Sequence, residues 1–160
     1  MAYKCCKPKQ WCLGLNQKGK QMKFVKSYGG RDKYYSTKYK KDMAEDCVIR
    51  AIVHATNIDY MQVFKRLTEI SLETGFYPND RRTYGVYLKE LGWVKRKPMR
   101  KSNGRLYRLR EIKCDRDLIV HTRRHLTYVN GDNFDMTLYD TWNCSYKIAN
   151  SYWENVGDYK

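Results

Sequence analysis

No run of about 18 apolar residues occurs in this chain, so no membrane-spanning helix is expected. The start, Met1-Ala2-Tyr3-Lys4-Cys5-Cys6-Lys7, lacks the apolar stretch of a signal peptide. The six cysteines are therefore expected in a reducing compartment, as thiols or metal ligands rather than as a disulfide framework. Cys5, Cys6 and Cys12 lack the paired C-x2-C spacing of a zinc site and have no evident fourth ligand. Plain thiols are expected there, with no metal and no cofactor. Internal repeats are absent, which excludes solenoid architectures. Acidic residues are scarce, 17 against 32 lysines and arginines, for a formal charge of +15. That balance favours acidic partners, whether nucleic acid, anionic lipid or an acidic protein surface, and carries no information about fold. Histidine is rarer still, with three in 160 residues, so a catalytic base has few candidates.

What is present is enough for a folded core. Apolar residues make up 42%, which excludes wholesale disorder, and 160 residues fit one domain. Residues 1–40 read as a basic arm in which Tyr28, Tyr34, Tyr35 and Tyr39 alternate with lysines, leading into a domain over 41–160. Lys38, Lys40 and Lys41, with the Arg123-Arg124 pair downstream, are candidate nucleic-acid contacts: lysines on phosphates, tyrosines stacked on bases. A solvated basic tail accounts for the arm equally well.

The pivotal stretch runs from Lys41 to Ile52. After Cys47, the residues Val48, Ala51, Ile52 and Ala55 fall on one helical face, and Glu45 and Asp46 are suited to cap its start. A thiol in the first turn meets unpaired N–H groups and the positive end of the helix dipole, which favour thiolate. The spacing predicts helices over 46–56 and roughly 60–73, the second capped by Asp59 with a stripe of Val63, Phe64, Leu67 and Ile70. A third helix is expected from after Thr83 to Gly92, with Val86, Tyr87 and Leu91 inward. Lys95 to Arg105 reads as a loop and Arg105 to Ile112 as a short helix or irregular segment. From Asp117 the period turns to strands, at Leu118–Val120, His125–Val129 and Met136–Asp140, with Asn130-Gly131-Asp132-Asn133 as the turn. The tail, with Trp142, Tyr146, Ile148, Tyr152 and Trp153, is expected to dock on the core. Helices first and an antiparallel sheet after them argue for an α+β fold.

Cys47 needs a base. His54 lies seven residues on along the same helix, about 10 Å up the axis and out of reach. His121 and His125 would sit about 13 Å apart if they shared one strand, so one of them at most serves a single cysteine. If Asn130 pairs with Asp135, His125 lies opposite Asp140, with Cβ atoms about 5 Å apart. The same register sets His121 opposite Cys144. A turn at Asn130-Gly131 would instead move Asp140 away from His125.

Asp46-Cys47-Val48-Ile49-Arg50-Ala51-Ile52, then His125-Leu126-Thr127 and Tyr139-Asp140-Thr141-Trp142, resemble small papain-like cysteine peptidase domains encoded by bacteriophages. The resemblance extends over roughly residues 40–153, through Leu88…Leu91-Gly92-Trp93 to Tyr152-Trp153. It implies a nucleophilic cysteine at a helix N-terminus packed on an antiparallel sheet, with Cys47 as nucleophile, His125 as general base and Asp140 as its orienter. It also implies a phage protein acting in the host cytoplasm on a peptide, isopeptide or amide bond of a protein substrate or host factor. The glutamine that such peptidases place before the cysteine is missing, and Tyr39, Lys40, Lys41 and Asp42 stand there instead. A basic binding module for nucleic acid or an acidic protein, on an inactive scaffold, is the alternative.

Overall fold

The computed structural model describes residues 21–35, 45–132 and 134–156. Cys5, Cys6 and Cys12, and the lysines Lys38, Lys40 and Lys41, lie outside the described residues. Three helices come first: α1 (Cys47–Thr56), α2 (Tyr60–Thr74) and α3 (Arg81–Glu90). Asp59 caps α2 by accepting from the Met61 N–H at 2.9 Å, and Gly75, at φ 75°, ends it in the left-handed region. Asp80 does the same for α3, accepting from Arg82 N–H at 2.8 Å, which starts that helix before the expected Thr83. Its inward face is Tyr84, Tyr87 and Leu88, while Val86, expected inward, is largely exposed.

The strands are β1 (Lys23–Lys26), β2 (Trp93–Arg96), β3 (Leu118–His121), β4 (Leu126–Asp132), β5 (Asp135–Asp140) and β6 (Ser151–Asn155). They form one sheet in the order β1-β5-β4-β3-β6-β2. The α+β class holds, but the sheet is mixed: β1 runs parallel to β5 at one edge. Nor is the sheet confined to the second half of the chain, since β1 and β2 both come from the first. Residues 21–35, read as part of an arm, contribute β1, a 3-10 turn at Arg31–Lys33 and the buried Met22. Lys95 and Arg96, read as loop, lie in β2 and pair with Trp153 and Tyr152 of β6. The segment from Arg105 holds a 3-10 turn, Leu109–Glu111, preceded by isolated bridges at Leu106 and Arg108.

Burial of both faces explains the strand pattern. Ile119, Leu126, Tyr128 and Trp153 pack under the three helices with Ile52, Leu67, Ile70 and Leu88. Leu118, Val120, Val129, Met136 and Leu138 belong to a second cluster, closed by Leu109, Ile112, Cys144 and Ala149. Alternate residues of β3 thus enter different cores, which is why it reads as a continuous apolar run. Each fully buried Leu or Ile contributes about 1.5–3 kcal/mol relative to exposure.

The β4–β5 turn corrects the expected register. Asp132, not Asn130, pairs toward Asp135, and Asn130 faces Thr137. β4 thus runs on to Asp132, and Phe134, just before β5, has φ 65°. Asn130-Gly131 stays in the strand because Asp117 holds it there, accepting from Asn130 Nδ2 at 2.9 Å and Gly131 N–H at 3.3 Å. Glycine at 131 serves a close approach: a Cβ there would sit 2.3 Å from the Arg116 carbonyl oxygen.

Candidate active site

One end of the sheet collects the chemistry. β3 ends at His121, β4 begins after His125 and β5 ends at Asp140. The antiparallel run of these strands puts all three at the same end, beside the start of α1, where Cys47 is the first helical residue.

Asp46 occupies the N-cap position of α1, yet its side chain caps nothing. Its carboxylate is engaged elsewhere. Arg50 forms a salt bridge with Oδ1, the Tyr60 hydroxyl donates to Oδ2 at 2.9 Å, and Arg31 Nε lies 3.3 Å from Oδ2. The expected acidic cap is therefore diverted into a buried ion cluster, and no side chain of the N-cap covers the first-turn N–H groups. Among the described residues the Cys47, Val48 and Ile49 N–H groups have no hydrogen-bond acceptor, which leaves them able to bind an anion at Cys47.

His125 and Asp140 meet, although not as direct cross-strand partners. Residue 127 faces Asp140 by extension of the β4–β5 register, which makes His125 and Asp140 diagonal neighbours. Diagonal pairs remain within reach of long side chains. His125 Nε2 lies 2.5 Å from Asp140 Oδ2. Asp140 is nearly buried and also accepts from Thr141 N–H at 2.7 Å, while Arg50 Nη2 stands 3.7 Å from its Oδ1. Burial alone would disfavour the imidazolium. Hydrogen bonds with Asp140, Cys144 and Cys47, together with the Asp140 charge, outweigh burial and push the His125 pKa up to about 11. Burial likewise raises the Asp140 pKa, but the His125 bond and charge win and hold it below the usual carboxylate range. The raised His125 pKa favours the imidazolium, which the Asp140 carboxylate anchors in the cleft that Cys47 also lines.

Cys47, His121 and His125 line one open cleft of about 740 Å³ with Tyr84, Arg81, Lys95, Arg123 and Arg124. Arg123 and Arg124 top the turn between β3 and β4, closed by Thr122 N–H donating to the His125 carbonyl at 2.8 Å. His121 and His125 therefore flank a hairpin rather than share a strand, and His121 faces Leu126 and Ser151, not Cys144. Cys144 is instead fully buried, its Sγ 3.6 Å from Asp140 Oδ2. His125, Asp140 and Cys144 place one potential ligand atom each within 4.8 Å of one another. Arg50, a permanent cation 3.7 Å from Asp140, disfavours a metal ion there. His54 lies away from Cys47, packed against the rings of Tyr128 and Tyr139 at 6.0 and 5.4 Å.

Two residues that sequence reasoning passed over belong to this site. Arg50, buried one turn after Cys47, ties α1 to the end of β5 through Asp46 and Asp140. An arginine on the second turn of an amphipathic helix reads as solvent-facing, and only its neighbours' acidity hints otherwise. Tyr84 is buried at the cleft wall, and its hydroxyl pKa is raised by burial first and, against the opposing pull of Arg81, by the nearby Cys47. Its phenol stays protonated and makes no hydrogen bond within the described residues. One tyrosine among fifteen carries no sequence signal.

No family model, curated protein or solved structure matches the chain. Among the described residues, no helix is long and apolar enough to cross a membrane.

Proposed function

We propose that this protein is a thiol acyl hydrolase, a cysteine peptidase or amidase of papain-like type, in which Cys47 is the nucleophile. The observation that carries the reading is the His125–Asp140 contact of 2.5 Å beside a cysteine that opens a helix. The resemblance to phage-encoded papain-like peptidases supports it independently, through the order of the Cys47, His125 and Asp140 segments.

Two starting states serve this chemistry: His125 takes the Cys47 proton as the substrate arrives, or the two rest as a thiolate–imidazolium pair. In either case Cys47 attacks with its proton on His125. The thiolate attacks the substrate carbonyl, and the C–S bond forms as the carbonyl π pair moves to oxygen. The oxyanion is held by the Cys47 N–H at the uncapped end of α1 and by the Tyr84 hydroxyl, which takes the place of the missing glutamine. His125 then gives its proton to the leaving amine, the C–N bond breaks and a thioester remains. Neutral His125 next takes a proton from water, hydroxide adds to the thioester, and collapse releases the acid and the thiolate–imidazolium pair. Asp140 keeps Nε2 occupied throughout, which leaves Nδ1 for these transfers. Arg50 holds Asp140 and the nucleophile's helix in one frame.

Exposure to p-nitrophenyl acetate tests this directly. A burst of nitrophenolate equal to the protein concentration, with one acetyl group mapped to Cys47 by mass spectrometry, is expected. A Cys47→Ala protein that keeps the burst contradicts the assignment.

A further inference from the structure

The cleft around Cys47 carries an unusual charge. Its lining includes Arg81, Arg82, Lys95, Arg123 and Arg124, against a single carboxylate, Asp80. That carboxylate is spent on Arg82: Oδ1 accepts from Nε at 2.9 Å and Oδ2 from Nη2 at 2.8 Å. Arg81, Lys95, Arg123 and Arg124 are exposed, and among the described residues none of these four has an ion-pair partner. They come from three separate elements: the start of α3, β2 and the β3–β4 turn. Their convergence is therefore a product of the fold rather than of a local run of charge. Arg81 and Lys95 are close enough to His121, after its burial, to help hold that imidazole neutral.

Four uncompensated cations around a concave site repel one another, and the repulsion is relieved when an anion enters. They surround a thiol whose chemistry requires an acyl carbon. The anion that they neutralise therefore belongs to a chain that also carries the scissile carbonyl. Phosphodiester backbones offer no such bond. We infer that the Cys47 cleft takes an acidic polypeptide segment, with Asp or Glu side chains flanking the scissile bond held by Arg81, Lys95, Arg123 and Arg124. This rests on Cys47 as the nucleophile and names the substrate class of that site.

The test uses the full chain and three short peptide vinyl sulfones of equal length, with Glu, Gln or Lys flanking the electrophile. Rates of Cys47 modification are divided by the rate for iodoacetamide, a small uncharged probe, on the same protein. The Glu probe is expected to react at least about tenfold faster than the Lys probe at low salt, with the gap closing at high salt. In an R123E/R124E protein, both changes lying on an exposed turn, the preference is expected to fall at least about tenfold or invert. Equal normalised rates for the three probes, with Cys47 modified in each, overturn the acidic substrate and leave the thiol chemistry standing. Protection of Cys47 by a single-stranded oligonucleotide at lower concentration than by poly-glutamate also overturns it, in favour of nucleic acid. Iodoacetamide labelling with no preference for Cys47 removes both the nucleophile and the substrate class.

Discussion

Replacing Asp140 by Asn keeps the shape of the site and removes one charge from a buried pair. In the native protein His125 has its pKa raised to about 11, with Asp140 supplying both a hydrogen bond and a charge. A raised folded-state pKa means that this imidazolium contributes stability that is fully present below the unfolded value, about 6.5, and is lost as pH rises through about 11. Between those limits the folded protein holds a His125 proton that the unfolded chain does not; below about 8.5, the ordinary thiol value, the proton given up by a Cys47 thiolate offsets it, so the net excess is read above that pH. The slope is then about 1.4 kcal/mol of stability lost per pH unit. The amide of the Asp140→Asn protein supplies no charge, and burial then pulls the imidazole toward neutrality, so the slope from His125 vanishes over the neutral and mildly alkaline range. Urea unfolding of both proteins at several values between about pH 7 and 10 provides the measurement, and the difference between the curves cancels the other titrating groups. Native protein should be ahead by about 3–5 kcal/mol at neutral pH, the usual cost of breaking a buried pair, and the gap should narrow with increasing pH. Parallel curves would falsify the claim that Asp140 holds His125 as a cation.

Three other substitutions probe separate parts of the structure. Gly131→Ala drives a Cβ into the Arg116 backbone at 2.3 Å, and thermal unfolding should show a loss of at least about 3 kcal/mol, larger than for an exposed Gly→Ala change. Tyr84→Phe should leave stability within about 1 kcal/mol while slowing acylation of Cys47 by p-nitrophenyl acetate roughly 10–100-fold, because it removes one oxyanion donor. An unchanged acylation rate would exclude the hydroxyl from the reaction. Arg50→Met strips the charge that joins Asp46 to Asp140 and should cost about 3 kcal/mol in urea unfolding. A neutral result there would mean that the ion cluster does not brace the site.

The helices were legible because their apolar spacing is sustained over several turns and α2 carries Asp59 and Gly75 at its ends, whereas the Asp80 cap that starts α3 was passed over. The strands β1 and β2 were not. Lys23–Lys26 and Trp93–Arg96 are four residues each, mostly solvent-facing, and their lysines and arginines look like loop. Their pairing depends on partners distant in the chain, Thr137–Asp140 and Tyr152–Asn155. Cys47, His125 and Asp140 were singled out for a mixed reason. The scarcity of histidine narrowed the choice, but the assumed register differed from the one in the sheet, where Asn130 faces Thr137, and Asp140 reaches His125 along a diagonal. Asn130-Gly131 misled because the pair that usually turns a chain is held in the strand by Asp117, which no local pattern reveals. Arg50 escaped notice, and Asp46 was read as a helix cap, because their buried pairing depends on Arg31, Tyr60 and Asp140 arriving from other elements.

Competitive alkylation of the native chain tests the central claim most directly. Substoichiometric iodoacetamide is applied between about pH 5 and 9, and the modified cysteine is mapped by mass spectrometry. Cys114 and Cys144 are shielded, at 3% and 0% exposure, whereas Cys47 lines the open cleft. The account predicts that Cys47 is modified first at and below neutral pH, and that this preference disappears in a His125→Ala protein. Slow, uniform labelling, or labelling led by Cys5 and Cys6, would contradict it and leave Cys47 as a structural residue at the head of its helix.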